Sequence, residues 1–165
     1  MRILISVVYA LILGIVSHYF GESLPRKLFS ADRFPFRPFF WERDGKIYER
    51  LHIRQWKTRV PDMSRYLKDM LPKRLTPHAT AEEVETLAIE TCIAEFVHDT
   101  LCILAVGFYF IWKNFIGVIL AVIFFLGNLP FIFIQRYNRP HLRKLAHRLA
   151  KKEENRQNAS ADFIL

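Results

Sequence analysis

The chain has 165 residues, a length that fits one domain, and carries 24 Lys and Arg against 16 Asp and Glu for a net charge of +8. Its 52% hydrophobic content is not spread evenly but gathered into long charge-poor runs, which excludes an ordinary water-soluble domain. Two cysteines, Cys92 and Cys102, lie about 280° apart on a helix at ~100° per residue, which excludes one metal site or an intrahelical disulfide, and free thiols are expected.

From the N-terminus, Met1 to Phe20 holds only Arg2 and His18 as charged or titratable groups. It reads as a retained membrane anchor; a cleaved signal is the alternative, but a single Arg and no small-x-small site are weak support for it. "LPRKLFSADRFPFRPFFW" follows, with Phe34, Phe36, Phe39, Phe40 and Trp41 among Arg33 and Arg37. Aromatics and arginines suit the headgroup level of a bilayer, and a loop packed on the protein's own helices suits them equally. Pro35 and Pro38 argue against a regular helix there. Asp44-Gly45 is a turn signal. From Lys46, Ile47, Tyr48, Leu51 and Gln55 predict an amphipathic helix at the cytoplasmic interface ended by Pro61, with a hairpin about Asp44-Gly45 as the alternative. "MSRYLKDMLPKRL" predicts a second such helix, stopped by Pro72.

Thr80 with Glu83 three residues on predicts a capping box opening a long helix from Ala81 to Trp112. One stripe of this helix, Val84, Leu87, Ala88, Thr91, Glu95, His98, Asp99 and Cys102, is expected to face protein. Ile89, Ile93, Phe96 and Val97 form the opposite face, expected to meet lipid. "WKN" (Trp112 to Asn114) is a short turn, and Phe115 to Ile134 is a charge-free span of 20 residues. Gly127, Asn128 and Pro130 predict a bend within it. "QRYNRPH" leaves that span at the depth where "ETCIAEFVHD" enters the previous one, so the two motifs are expected to meet.

The expected fold is therefore an all-α integral membrane protein. It has transmembrane helices at about residues 3–20, 94–112 and 115–134, with amphipathic interfacial helices on the cytoplasmic side. One membrane domain covers 1–165: anchor 1–21, cytoplasmic interfacial segment 22–80, long helix and hairpin 81–142, charged tail 143–165. Fourteen of the Lys and Arg lie between Arg26 and Arg74 and eight between Arg136 and Arg156. Positive flanks stay inside, which predicts an outside N-terminus, a cytoplasmic C-terminus and a bacterial multi-pass protein among anionic lipids. Basic residues tied to apolar segments, with no binding motif, exclude nucleic acid as a partner.

The patterns "WERDGK…WK…PD", "ETCIAEFVH" (Glu90 to His98) and "PFIFIQRYNRPHL" (Pro130 to Leu142) resemble the glycosyl-4,4'-diaponeurosporenoate acyltransferases, over about Phe36 to Leu142. The resemblance implies that a fatty acyl group passes to a primary sugar hydroxyl of a glycosylated lipid or carotenoid, the glucose C6 in that family. Membrane lipids, the acceptor and an acyl donor, acyl-coenzyme A or acyl-carrier protein, are then the expected partners. A homo-oligomer or a complex with a biosynthetic enzyme suits a three-span bundle. A small non-catalytic adaptor that recruits a lipid or glycosyl-transfer enzyme is the alternative.

Acyl transfer to a hydroxyl needs a base and groups that stabilise an oxyanion. His98 is the candidate base, with Glu95 or Asp99 to orient its ring; alternatively the two acids pair with Arg136 and Arg139. Arg136 and Arg139, flanking Asn138, are candidate phosphate contacts for the donor. Asn128 is a candidate for the sugar or the oxyanion. Glu90, Trp56 and Lys57 complete the candidate binding set, with Trp56 and Lys57 read also as an interface anchor. No His-x4-Asp signature is present, because Cys102 and Ile103 follow His98 where the Asp would stand, and no nucleophile elbow is present. A di-iron site needs two Glu-x-x-His units on facing bundle helices with further carboxylates; of the two here, Glu49/His52 falls in the interfacial segment and only Glu95/His98 on a long helix, so no metal is expected.

Overall fold

The computed structural model describes residues 1–57 and 79–162. Every regular element among them is helical. In chain order these are α1 (Arg2–Ser23), α2 (Lys46–Arg50), α3 (Ile53–Trp56), α4 (Ala81–Leu104), α5 (Gly107–Trp112) and α6 (Phe115–Asp162), with single 3-10 turns at Arg26–Leu28 and Phe40–Glu42. Three stretches are long and apolar enough to cross a membrane, Arg2–Ser23, Ala81–Trp112 and Phe115–Ala159. Their outer surfaces carry exposed Ile, Leu, Val and Phe side chains, as a bilayer requires. The expected helix of residues 63–75 with its Pro72 stop, and the Pro61 stop of the helix before it, lie outside the described residues.

α4 and α6 run against each other as the central pair, and α1 lies along α4 and α5. Thr80 starts α4 by the predicted capping box: its hydroxyl accepts from the Glu83 amide at 3.2 Å, and its own amide donates to the Glu83 carboxylate at 2.9 Å. The expected unbroken helix to Trp112 is interrupted at Ala105–Val106, where hydrogen bonds tighten to i→i−3 spacing. The Leu104 carbonyl there accepts the Tyr9 hydroxyl of α1 at 2.7 Å, which satisfies a polar group that lipid could not. Trp112 adds a second tie, donating to Ser6 of α1 at 2.8 Å. Lys113 in the left-handed region turns the chain, and the Asn114 carboxamide caps α6 by accepting from the Ile116 amide at 3.0 Å.

The predicted lipid face of α4 is covered only in part. Ile93 is buried, Val97 meets Gly21, and Phe96, though still exposed, touches the Phe20 ring at a tilt and the Phe29 ring edge-on, because α1 and the segment after it lie on that side. The aromatic segment divides its side chains: Phe36 packs with Ala31, Ala88 and Cys92, while Phe34, Phe40 and Trp41 stay exposed. The helix predicted from Lys46 breaks at His52, which has positive φ. Tyr48 and Ile53 are buried against Tyr137 of α6, so α2 and α3 pack an apolar face on protein. α6 is longer than expected: it passes Pro130 and Pro140 and the expected boundary at residue 143 without ending.

Gly117 lets the α5–α6 hairpin close, since a Cβ there would stand 2.8 Å from the Phe108 carbonyl and 2.9 Å from the Tyr109 Cα. Backbone cannot yield as a side chain can, so Gly117→Leu should lower stability in detergent by about 1–3 kcal/mol. Gly127, whose Cβ would meet nothing within 4 Å, should accept Ala with little change. Thermal unfolding of both variants checks this.

Candidate functional site

Two seams run side by side between α4 and α6. Ala88, Cys92, Glu95 and Asp99 of α4 recur at helical spacing on one, facing Ile132, Arg136, Arg139 and Arg143. Leu87, Thr91, Ala94 and His98 line the other, facing Asn128, Phe131, Gln135, Asn138 and Leu142.

The first seam is closed by charge. Glu95, 2% exposed, accepts from both Arg136 and Arg139, the latter at 2.5 Å from Nη2. Arg139, 1% exposed, also donates Nε to the Thr91 hydroxyl at 2.8 Å, Nη2 to the Thr91 carbonyl at 3.0 Å and Nη1 to the Phe36 carbonyl at 2.6 Å. Arg136 forks onto Glu42, with Nε at 2.5 Å and Nη2 at 3.0 Å. Glu42 takes two more donors, the Tyr48 hydroxyl and, at 2.7 Å, the Phe39 amide. The result is a buried chain Glu42–Arg136–Glu95–Arg139, in which each acid faces at least one guanidinium. Burial alone would raise the Glu42 carboxyl, but the Arg136, Tyr48 and Phe39 donors outweigh it and hold it below the usual carboxylate range. The same hydroxyl–carboxylate contact, added to burial, pushes the Tyr48 phenol up.

The loop reaches this seam through backbone that is rare outside glycine: Arg43, Asp44 and Gly45 all have positive φ. A Cβ on Gly45 would come within 3.4 Å of the Tyr137 carbonyl and 3.6 Å of Pro140, so the turn presses directly on α6. Farther along, Arg143 pairs with Asp32 and Glu85, and Lys144 with Asp44 at 3.2 Å, fastening the same loop to α6.

The second seam holds His98. Its Nδ1 lies 2.9 Å from Asn128 Oδ1, and its ring stacks on Phe131 at 4.5 Å between centroids. Asn128 is oriented by its own amide, which donates to the Phe124 carbonyl at 2.9 Å. With Oδ1 thus turned to the ring, the contact suits an imidazole that donates from Nδ1 and keeps its lone pair on Nε2. The expected orienting acid is therefore replaced at Nδ1 by an amide: Glu95 faces the arginines, and Asp99 is half-buried one turn beyond it.

About two turns toward the α4 N-terminus, the same seam opens into a cavity of about 310 Å³. Lys57, Glu90, Thr91, Gln135, Asn138 and His141 supply its polar lining over a floor of leucines. Lys57 donates to Asn138 at 2.9 Å and lies over the Tyr137 ring at 4.9 Å. Glu90 accepts from Arg26 at 2.9 Å. Trp56 packs in the Tyr48–Ile53–Tyr137 cluster and donates to the Leu51 carbonyl at 2.8 Å, away from the cavity lining. Thus Lys57, Glu90 and Asn138 of the candidate binding set come together, whereas Arg136 and Arg139 face the opposite seam with their N–H groups committed to protein acceptors. Gln135, His141 and Tyr48 had no place among the candidates. Glu42 was legible only as part of "WERDGK", and Gln135 only through its spacing from Asn128 and Asn138. Among the described residues no group of three or more His, Cys, Asp or Glu is placed to hold a metal ion.

The family pattern described as glycosyl-4,4'-diaponeurosporenoate acyltransferase matches residues 25–148, which span both seams and the loop that closes the first. The chain belongs to this family. Proteins of that name from Staphylococcus aureus strains Newman and bovine RF122 are 30% and 29% identical to it over 135 residues, covering 81% of this chain and 81% of each relative. No solved structure matches. Membership makes the chain an acyltransferase, with three membrane-length helices and the loop-closed α4–α6 pair at its centre.

Removing Glu95 would leave Arg139 buried without a counter-charge. Glu95→Gln should therefore destabilise this acyltransferase by about 3–5 kcal/mol, as breaking a buried pair does elsewhere. His98→Ala, which leaves the Glu42–Arg136–Glu95–Arg139 ion pairs in place, should unfold within a few degrees of the parent; melting curves in one detergent compare the two.

Proposed function

We propose that the chain moves a fatty acyl group from a thioester, acyl-coenzyme A or acyl-carrier protein, onto a primary sugar hydroxyl of a glycosylated lipid or carotenoid. The relatives' name gives the acceptor class: a glycosyl group on a carotenoid acid. The observation that carries the reading is the His98–Asn128 unit, which sets the basic lone pair at Nε2 inside a membrane-length helix pair. Ionisable side chains at such positions are expensive to hold, and function is their usual reason.

In this reading Nε2 of His98 takes the hydroxyl proton as the sugar oxygen bonds to the thioester carbonyl carbon. The tetrahedral intermediate then collapses, the carbon–sulfur bond breaks, and His98 returns the proton to the departing thiolate. An ester and a free thiol result, with no net change at the imidazole. Asn128 and the stacked Phe131 hold the ring; Glu95, Arg136, Arg139 and Glu42 are positioning residues that fix α4 against α6. Direct transfer is favoured over an acyl-enzyme. Cys92 is buried beneath the charged seam with its thiol toward the Ala88 carbonyl, and Cys102 points to the Phe125 carbonyl at 3.8 Å.

Lipid mass spectrometry of cells carrying each variant tests the reading. His98→Ala should lower the acylated glycoside by about 10²–10⁴-fold with the unacylated glycoside accumulating. Asn128→Leu, which frees the tautomer, should lose at least about tenfold on the same ground. Full ester levels in His98→Ala would remove the base and the reading with it.

The orientation proposed is an outside N-terminus and a cytoplasmic C-terminus, supported by the basic residues on the loop and on the far half of α6. A cysteine placed at Ala150 should then resist membrane-impermeant thiol reagents in intact cells and react after permeabilisation. Labelling in intact cells would invert the arrangement.

A further inference from the structure

Five basic side chains among the described residues are at least half-buried: Arg26, Lys57, Arg136, Arg139 and Arg143. Four have a carboxylate partner: Glu90 for Arg26, Glu42 and Glu95 for Arg136, Glu95 for Arg139, Asp32 and Glu85 for Arg143. Lys57 has none among the described residues. Its ammonium is held instead by the Asn138 amide oxygen and the Tyr137 ring. A sheltered cation with no counter-ion among the described residues, at the wall of a cavity of about 310 Å³, is a place for an anion. Glu90, the acid in that wall, is engaged by Arg26. The Gln135 and Asn138 carboxamides and the His141 ring add hydrogen-bonding groups over Leu87, Leu142 and Leu145.

The cavity lies on the seam that holds His98. Thr91 and His98 are seven residues apart on α4, about 10 Å at the helical rise, and Asn128 and Asn138 span about 15 Å on α6. An extended arm with a phosphate at one end, amides along it and a thioester at the other fits that run. We infer that this cavity binds the 4'-phosphopantetheine arm of the acyl donor, with Lys57 on its phosphate and Asn138 and Gln135 on its amides, so that the thioester reaches His98. The inference rests on the acyl-transfer reading above. It also moves the phosphate contact from Arg136 and Arg139 to a residue near the start of the cavity.

Burial first, and Arg54 beside it second, hold the Lys57 ammonium below the ordinary lysine range. A bound phosphate would offset both effects. Glu90 of α4 and His141 of α6 also face this cavity, so the charge felt by the ligand is the sum of all three side chains and Arg26.

The test is binding by the full-length protein in phosphatidylcholine nanodiscs, with coenzyme A, 4'-phosphopantetheine and pantetheine as probes. The parent should bind phosphopantetheine at least tenfold more tightly than pantetheine. Lys57→Gln should abolish that preference with pantetheine binding unchanged, Lys57→Arg should keep it, and Leu87→Trp, which fills the cavity, should weaken all three probes. His98→Ala should bind like the parent, so failure of the base and failure of this site give different results. In turnover with acyl-coenzyme A and acyl-carrier protein assayed separately, a KM raised by Lys57→Gln for the carrier that is used supports the site. An unchanged KM and an unchanged phosphate preference overturn it. So does a Lys57→Gln variant that loses affinity for an alkyl glucoside, or for anionic phospholipid, while binding coenzyme A normally.

Discussion

The carboxylate of Glu95 is the fixed point of the molecule. It sits between two guanidinium groups one helical turn apart on α6, and every other placement follows from that clamp. Charge at this depth is tolerated only when it is neutralised and hydrogen-bonded. Arg139 therefore gathers Thr91 and the Phe36 carbonyl around itself, and Arg136 draws in Glu42 from a loop 94 residues earlier in sequence. The loop cannot reach so far inward without the left-handed turn at Arg43, Asp44 and Gly45, which trades local strain for the ion pair. Closing one seam in this way leaves the neighbouring seam for the acyl transfer proposed above.

That division separates two jobs that ionisable residues often share. The acids and arginines of the closed seam are saturated by one another, so they contribute rigidity and alignment. The open seam holds groups of a different kind: an imidazole hydrogen-bonded at Nδ1 to a neutral amide, and a lysine with no carboxylate partner among the described residues. Neutral orientation of His98 by Asn128 avoids placing a further negative charge in a low-dielectric pair of helices that already contains Glu95 and Asp99.

Much of the architecture was readable in the residues. The capping box at Thr80 and Glu83, the turn at Asp44-Gly45, the short connection at Lys113–Asn114 and the meeting of "ETCIAEFVHD" with "QRYNRPH" all rest on local rules that tertiary packing did not override. What escaped was the identity of partners. Periodicity places Glu95 and His98 on one broad stripe but does not say that α6 divides it into two seams. Adjacency suggested that Arg136 and Arg139 act together with Asn138, yet neighbouring residues on a helix point about 100° apart, and Asn138 joins Lys57 instead. The lipid-facing assignment of Ile93 failed because an apolar helix face does not distinguish lipid from another apolar helix, here α1.

The length of α6 has a consequence of its own. Asn128, Phe131, Gln135 and Asn138 lie on one uninterrupted helix, although Pro130 falls among them. Their spacing is consequently a molecular gauge, set by helical register and indifferent to how the surrounding bilayer thickens or thins. Inserting a single residue between positions 131 and 135 would leave every side chain present but swing the lower half of the gauge by about 100°. The amide beside the imidazole and the amide beside the lysine would then look out from different sides of the rod.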